Sequence, residues 1–71
     1  MSVKVNVTNQ GERAIGRLNR IFPPGESVVV EASAWRLPEI SRHPALEVEL
    51  EGASTNEELE QAQAELGRAR A

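Results

Sequence analysis

The segment Val3-Lys4-Val5-Asn6-Val7-Thr8 decides the fold, because it alternates strictly between valine and polar residues. A period of two in β-branched residues is typical of a strand with one buried face. We therefore expect the three valines to face the core. The following Asn9-Gln10-Gly11-Glu12 contains residues that tolerate positive φ, and it predicts a turn.

Residues 13–22 allow two interpretations. A helix would place the apolar residues on one side and the arginines on the other, but Gly16 in its interior would cost about 1 kcal/mol relative to alanine. The preceding strand also needs a partner. We favour an extended strand that returns along Val3–Thr8 as a hairpin, with the helix as the alternative.

A turn is predicted at Phe22-Pro23-Pro24-Gly25-Glu26. Pro24 presets φ for the second turn position and Gly25 supplies the positive φ of the third, which is typical of a type II turn. Ser27-Val28-Val29-Val30-Glu31 then predicts a strand that is buried on at least one face.

A short helix should begin near Ala32–Leu37, with Ser33 as a possible N-cap. Pro38 interrupts it, because proline lacks the N–H that an interior helical bond needs. Either the helix restarts with Pro38 near its first position, or it is kinked there. His43-Pro44 ends it, since the residue before a proline is driven out of the helical region.

The last strand is predicted at 45–51, where alternation resumes. Leu46, Val48 and Leu50 would face inward, and Gly52 ends the strand. The outward residues are all glutamates: Glu47, Glu49 and Glu51.

A C-terminal helix is predicted over residues 56–70, started by one of two capping boxes. These are Ser54 with Glu57 and Thr55 with Glu58. Its apolar stripe is narrow, and isolated helices of this length are marginal in water. We expect a frayed or mobile helix unless another chain covers the stripe, which consists of Leu59, Ala62, Leu66 and Ala69.

The predicted fold class is α+β: a small β-β-β-α-β single-sheet domain with one packed helix, followed by a C-terminal helical tail. The compact body covers residues 1–52 and the charged tail residues 53–71. The predicted core consists of Val3, Val5, Val7, Ile15, Leu18, Ile21, Phe22, Val28, Val30, Trp35, Leu37, Ile40, Leu46, Val48 and Leu50.

Composition excludes several function classes. With 71 residues the chain forms at most one domain, and it contains no cysteine and a single histidine. It also lacks a membrane-spanning run or a signal-peptide pattern, so we expect a cytoplasmic protein, or a virion component if it derives from a phage. The net charge of −3 is uneven: residues 1–45 carry +2 and residues 46–71 carry −5. A charge of +2 over residues 1–45 is weak for general nucleic-acid binding.

No catalytic, cofactor-binding or metal-ligating residue is predicted. His43 with Ser41 could suggest a hydrolytic triad, but a histidine at a helix C-terminus explains it better. The three strand glutamates are better explained as a solvated face than as a cation site. We expect no cofactor, no membrane contact and no small-molecule substrate.

Two sets of residues are candidates for partner contact. Trp35 is first a candidate for the core, with an exposed interface residue as the alternative. The partner-contact candidates are Trp35, Leu37, Ile40, Leu59 and Leu66. A basic surface would consist of Arg13, Arg17 and Arg20, although on one continuous strand Arg20 would face away from the other two.

The sequence resembles small phage and prophage proteins, including the N-terminal domain of Mu-like prophage proteins. The resemblance rests on Phe22–Glu26, the helix through Ile40 and the junction His43-Pro44-Ala45-Leu46-Glu47-Val48. In those proteins a turn, a short helix and an H-P-x-L-x-V strand close a compact α+β unit. The resemblance covers roughly residues 1–50 and does not explain the C-terminal helix. It implies a virion-associated or accessory protein that works by binding.

The expected function is therefore a non-enzymatic structural or protein-interaction module, through a protein partner or self-association. Contact would be made through an exposed sheet edge, the helix from Trp35 to Ile40 or the C-terminal stripe. The alternative is a small regulator that binds a host protein or nucleic acid through the three arginines, with nucleic acid the less expected partner.

Overall fold

The computed structural model describes the backbone of residues 2–70 and the side chains of residues 2–67. Within that range strands and helices are mixed, which confirms the α+β class. The elements are β1 (Val3–Asn9), β2 (Ile15–Arg17), β3 (Arg20–Phe22), β4 (Ser27–Ala32), a single 3₁₀ turn (Ala34–Arg36), α1 (Pro38–Ser41), β5 (Leu46–Ala53) and α2 (Asn56–Arg70).

Strand β1 is the centre of a three-stranded antiparallel sheet with the order β4-β1-β5. Val3, Val5 and Val7 are fully buried, as their alternation predicts. The 3₁₀ turn and both helices pack on this face, because their buried residues belong to the same apolar cluster as the valines: Ala34, Leu37, Ile40, Ala62 and Leu66. The opposite face of the sheet carries Lys4, Asn6 and Thr8 of β1.

Residues 13–22 form a hairpin of their own, in which β2 pairs with β3. The expected pairing of this segment with the first strand is wrong, since β4 and β5 occupy both edges of β1. Leu18 and Asn19 connect the two strands with φ of 54° and 57°, as in a type I′ turn. Positive φ is unfavourable for leucine, but Leu18 packs against the core.

Asn9, at the end of β1, is the buried polar residue that holds this hairpin to the sheet. Its Nδ2 donates to the carbonyl oxygens of Arg13 and Phe22, and its Oδ1 accepts from the Gly11 N–H, all at 2.8 Å. A Cβ atom on Gly11 would lie 3.2 Å from this Oδ1, so glycine permits the close approach. The amide therefore bonds to three backbone groups of residues 11–22 and joins the hairpin segment to the end of β1.

The connections on either side of β4 follow the turn chemistry. Gly25 has a φ of +75° and the Glu26 N–H donates to the Pro23 carbonyl at 3.3 Å, which confirms the type II turn. Pro38 is the first residue of α1, so the helix restarts there. Ser33 precedes the 3₁₀ turn, but its side chain makes no capping bond.

Helix α2 begins after Thr55, whose Oγ1 accepts from the Glu58 N–H at 3.1 Å. The Glu58 carboxylate accepts from the Ala34 N–H at 3.3 Å and so links α2 to the 3₁₀ turn. Ala62 is fully buried and Leu66 is 8% exposed. The body of the same chain therefore covers this stripe; the side chain of Ala69 lies outside the described residues.

Two residues of the predicted core are exposed. Ile21 and Trp35 are 66% and 67% exposed, so their assignment to the core is wrong. Ile21 lies on the opposite face of β3 from the buried Phe22. Trp35 lies in a single turn whose interior position is taken by Ala34. The other predicted core residues are buried or half-buried.

Replacing Asn9 should test whether its amide holds the hairpin. Asn9→Ala removes the three hydrogen bonds that the buried side chain makes to the backbone, so we expect the free energy of unfolding to fall by about 2–4 kcal/mol. Asn9→Asp should be at least as damaging, because a carboxylate cannot donate to the carbonyls. Urea denaturation measures both. Thr8→Ala is the control: it removes only the exposed 2.8 Å hydroxyl pair with Ser27 and should cost less than about 1 kcal/mol.

Candidate interaction surfaces

The outer edge of β4 presents backbone groups that no other part of residues 2–70 pairs with. The Asn9 N–H donates to the Glu26 carbonyl at 3.1 Å. Alternate residues of an antiparallel strand point their backbone groups to opposite sides, so Val28 and Val30 bond to β1. The residues whose N–H and C=O groups point outward are therefore Ser27, Val29 and Glu31.

The side chains of these outward residues lie on the open face of the sheet, opposite the helices. Val29 is 47% exposed, and both Ser27 and Glu31 are exposed. One charge at the end of the strand is little protection against an added strand, since natural edges are usually guarded by several charges, proline or a bulge. The outer edge of β4 is therefore open to pairing.

The β5 side of the sheet is guarded in two ways. Its open face carries Glu47, Glu49 and Glu51, all exposed, and its register with β1 shifts between Lys4 and Val5. The Glu47 carboxylate also accepts a hydrogen bond from the side chain of Gln10. Like charges and irregular register both disfavour an added strand.

The hairpin brings two of the predicted basic residues together. Arg17 and Arg20 are directly opposite each other in the β2–β3 register, so they share a face. The expectation that Arg20 faces away from Arg17 is wrong, because a two-residue turn separates them. Arg13 is exposed in the preceding loop. Among the side chains of residues 2–67, no acid lies within ion-pair distance of these three arginines.

Arg36 and Glu39 form an ion pair beside the hairpin, with Nε to Oε2 at 2.8 Å. The hydrogen bond from Arg36 lowers the pKa of the Glu39 carboxyl, and the same bond raises the pKa of Arg36. Glu39 also lines a shallow groove of about 370 Å³ with the hairpin residues 16–21. The Glu39 carboxylate therefore lies beside a surface whose other charged residues are Arg17 and Arg20.

A second open groove, of about 530 Å³, lies between residues 11–17 and the pair His43 and Ala45. His43 Nδ1 accepts from the Ala45 N–H at 3.1 Å, so this nitrogen stabilises the turn into β5. Ser41 Oγ is buried and makes no hydrogen bond within the described residues. The Ser–His bond that a hydrolytic triad needs is not formed here.

The residues predicted for partner contact divide by burial. Trp35 is on the surface, whereas Leu37 and Ile40 are fully buried in the core and cannot contact a partner in this fold. Leu66 is buried and Leu59 is half-buried, both on α2. Helical spacing had identified an apolar stripe correctly, but it could not show that the same chain covers it.

The prediction that a sheet edge contacts the partner does not single out β4, although the sequence carries a signal for it. Ser27–Glu31 has a single charge, whereas the last strand has three. That asymmetry distinguishes an unguarded edge from a guarded one, but only once the strand order is known.

Two other features are absent from the described residues. Within them, no group of three or more His, Cys, Asp or Glu side chains is arranged to hold a metal ion. Among residues 2–70, no helix combines the length and the apolar composition that a membrane span requires.

Comparison with protein-family models, with curated proteins and with solved structures finds no match for this chain.

Proline substitutions in β4 should reveal which backbone groups point outward. Val29→Pro removes an outward N–H and should lower the free energy of unfolding by less than about 1.5 kcal/mol, whereas Val28→Pro removes a bond to β1 and should cost about 3 kcal/mol or more. Urea denaturation of the two variants provides the comparison. Equal losses would contradict the assigned orientation.

Proposed function

We propose that this protein is a non-enzymatic protein-interaction module that binds by adding a strand to the outer edge of β4. One observation carries the proposal: β4 is an edge strand whose outward residues Ser27, Val29 and Glu31 have no backbone partner within residues 2–70. Strand addition uses such groups directly, because main-chain hydrogen bonds supply affinity and alternate side chains supply selectivity.

The surroundings of β4 suit an extended apolar partner. Val29 is exposed on the open face and Val28 is half-buried on the helix side, so an added strand would find an apolar neighbour on each of its faces. Val30 is buried and keeps β4 anchored to the core. The edge is therefore available and held in an extended conformation, which lowers the entropic cost of binding.

The non-enzymatic assignment is supported by the geometry at Ser41 and His43. Ser41 Oγ makes no hydrogen bond among the described residues, so it has no bond to a histidine base, and His43 Nδ1, the atom that a triad acid would bond, accepts from the Ala45 N–H instead. The resemblance to small phage and prophage proteins supports a virion-associated or accessory role for the module.

The proposal is tested by titrating ¹⁵N-labelled protein with a synthetic peptide of sequence Ser-Val-Val-Val-Glu-Ala, which copies β4. The titration is carried out at a low micromolar protein concentration, and amide shifts are followed by NMR. We expect the amide signals of Ser27, Val29 and Glu31 to move most, because their N–H groups would gain acceptors.

The matched control is Val29→Pro, which lacks the central outward N–H and keeps the bonds to β1. We expect its remaining amide signals to respond at least severalfold less to the same peptide. Shifts confined to another surface, or an equal response in the variant, would remove β4 as the binding site. A complete absence of shifts at millimolar peptide would do the same.

The hairpin supports a second candidate function, in which the protein is a regulator that binds an acidic surface or nucleic acid. The specific observation is that Arg17 and Arg20 are held side by side without an acidic partner among the described side chains. Like charges directly opposite each other destabilise a strand pair, and a bound anion would relieve that repulsion.

This second function is tested by fluorescence anisotropy of a labelled DNA duplex at low salt. If Arg13, Arg17 and Arg20 each neutralise a phosphate, log K should fall with log salt with a slope of about −2.7. Arg17→Gln with Arg20→Gln should flatten this slope, whereas the exposed Arg42→Gln should change it less. Absent binding, or equal slopes in both variants, would contradict the hypothesis; a labelled poly-glutamate peptide tests the acidic-protein alternative in the same way.

A further inference from the structure

We infer that the strand added to β4 is β4 of a second copy, so that the protein forms a two-fold symmetric dimer with a continuous antiparallel sheet. This inference rests on the proposed strand-addition function and names its partner. It depends on three features of β4: which backbone groups point outward, which register pairs them, and where the charges fall.

The register follows from the orientation of the backbone groups. In an antiparallel pair, directly opposite residues lie on the same face, and hydrogen bonds form between residues that point their backbone groups at each other. The outward groups belong to Ser27, Val29 and Glu31. A two-fold axis at Val29 therefore pairs Val29 with Val29 of the second copy, and Ser27 with Glu31 of the second copy.

This register satisfies every outward backbone group of β4 from Ser27 to Glu31. Each of its hydrogen-bonded pairs exchanges both N–H···O bonds. Moving the axis to Val28 or Val30 leaves an outward residue at one end without an opposite partner within β4. On the helix side, the same register places Val28 beside Val30 of the second copy, so the apolar cluster continues across the junction.

The charges agree with the same register. Glu31 lies opposite Ser27 of the second copy, and beside Lys4 of its own β1. The two copies of Glu31 are about 14 Å apart along the strands, beyond a Debye length of about 8 Å at physiological salt. No like charges face each other in this dimer.

Strand β5 cannot form an equivalent pair. Its open face carries glutamate at 47, 49 and 51, so any antiparallel register that overlaps most of the strand places glutamate opposite glutamate. Directly opposite like charges are destabilising. The self-complementary edge of this sheet is therefore β4, and a dimer through β4 leaves the guarded β5 side outermost, which stops further growth.

The dimer should be weak. An overlap of Ser27–Glu31 is about 17 Å long, and the resulting interface lies below the usual range of about 1,200–2,000 Å² for stable complexes. We therefore expect dissociation in the high micromolar range and a dimer at high local concentration.

The experiment is sedimentation equilibrium from micromolar to low millimolar concentration on the full chain. The wild type should approach twice the monomer mass. Val29→Lys and Val29→Glu each place like charges at the two-fold axis, so each should weaken self-association by about tenfold or more. An equimolar mixture should restore it, because lysine then lies opposite glutamate. Val29→Thr, which keeps the β-branched shape, is the matched control and should remain close to the wild type.

The outcomes separate this inference from the proposed function. A wild type that stays monomeric at low millimolar concentration, or a mixture that associates no better than either variant alone, overturns the dimer. If the β4 peptide still binds in that case, strand addition stands and its partner is another protein. Masses that grow beyond the dimer would also overturn the inference, since they indicate open-ended pairing.

Discussion

The buried amide of Asn9 is the constraint on which the rest of the structure depends. It lies where β1 leaves the sheet, and it bonds to the backbone at Gly11, Arg13 and Phe22. Its own backbone is bonded to the loop before β4, at Gly25 and Glu26. A buried amide without these partners would be costly. The Asn9 side chain therefore requires the backbone around it to follow this path, and the side chain in turn holds that backbone in place.

Because residues 10–26 are held at the end of the sheet, they do not pair with the edge of β1. That edge is free for β4, and the other is free for β5, so both neighbours of β1 come from distant parts of the chain. The consequence is a three-stranded sheet with two outer edges. One side is guarded by glutamates and a register shift, and the other, β4, presents an open row of backbone groups. The functional proposals follow from that asymmetry.

The 3₁₀ turn and the helices show that a local sequence pattern does not determine whether a side chain is buried in the fold, or by what. Trp35 has the size and apolarity of a core residue, yet it is exposed, because the 3₁₀ turn directs Ala34 inward and the chain then buries Leu37. The stripe on α2 was recognisable from its spacing. Ala62 and Leu66 are covered because they pack in the same apolar cluster as the sheet and the 3₁₀ turn, and helical periodicity carries no information about such distant partners.

The sequence by itself determined the local features: the alternation of β1 and β5 and the type II turn at Gly25. It left two alternatives each for the helix at Pro38 and for the cap of α2, which the structure resolves as a restart at Pro38 and a cap at Thr55. These depend on φ preferences, on a missing N–H and on side-chain alternation within a few residues. The tertiary structure alone decided which strands flank β1, that Arg17 and Arg20 share a face, and which edge is left open. The order of the strands and the open edge depend on pairing between residues far apart in the chain, and register sets them only when the whole sheet is assembled. The shared face of Arg17 and Arg20 depends on the pairing of β2 with β3 across a two-residue turn.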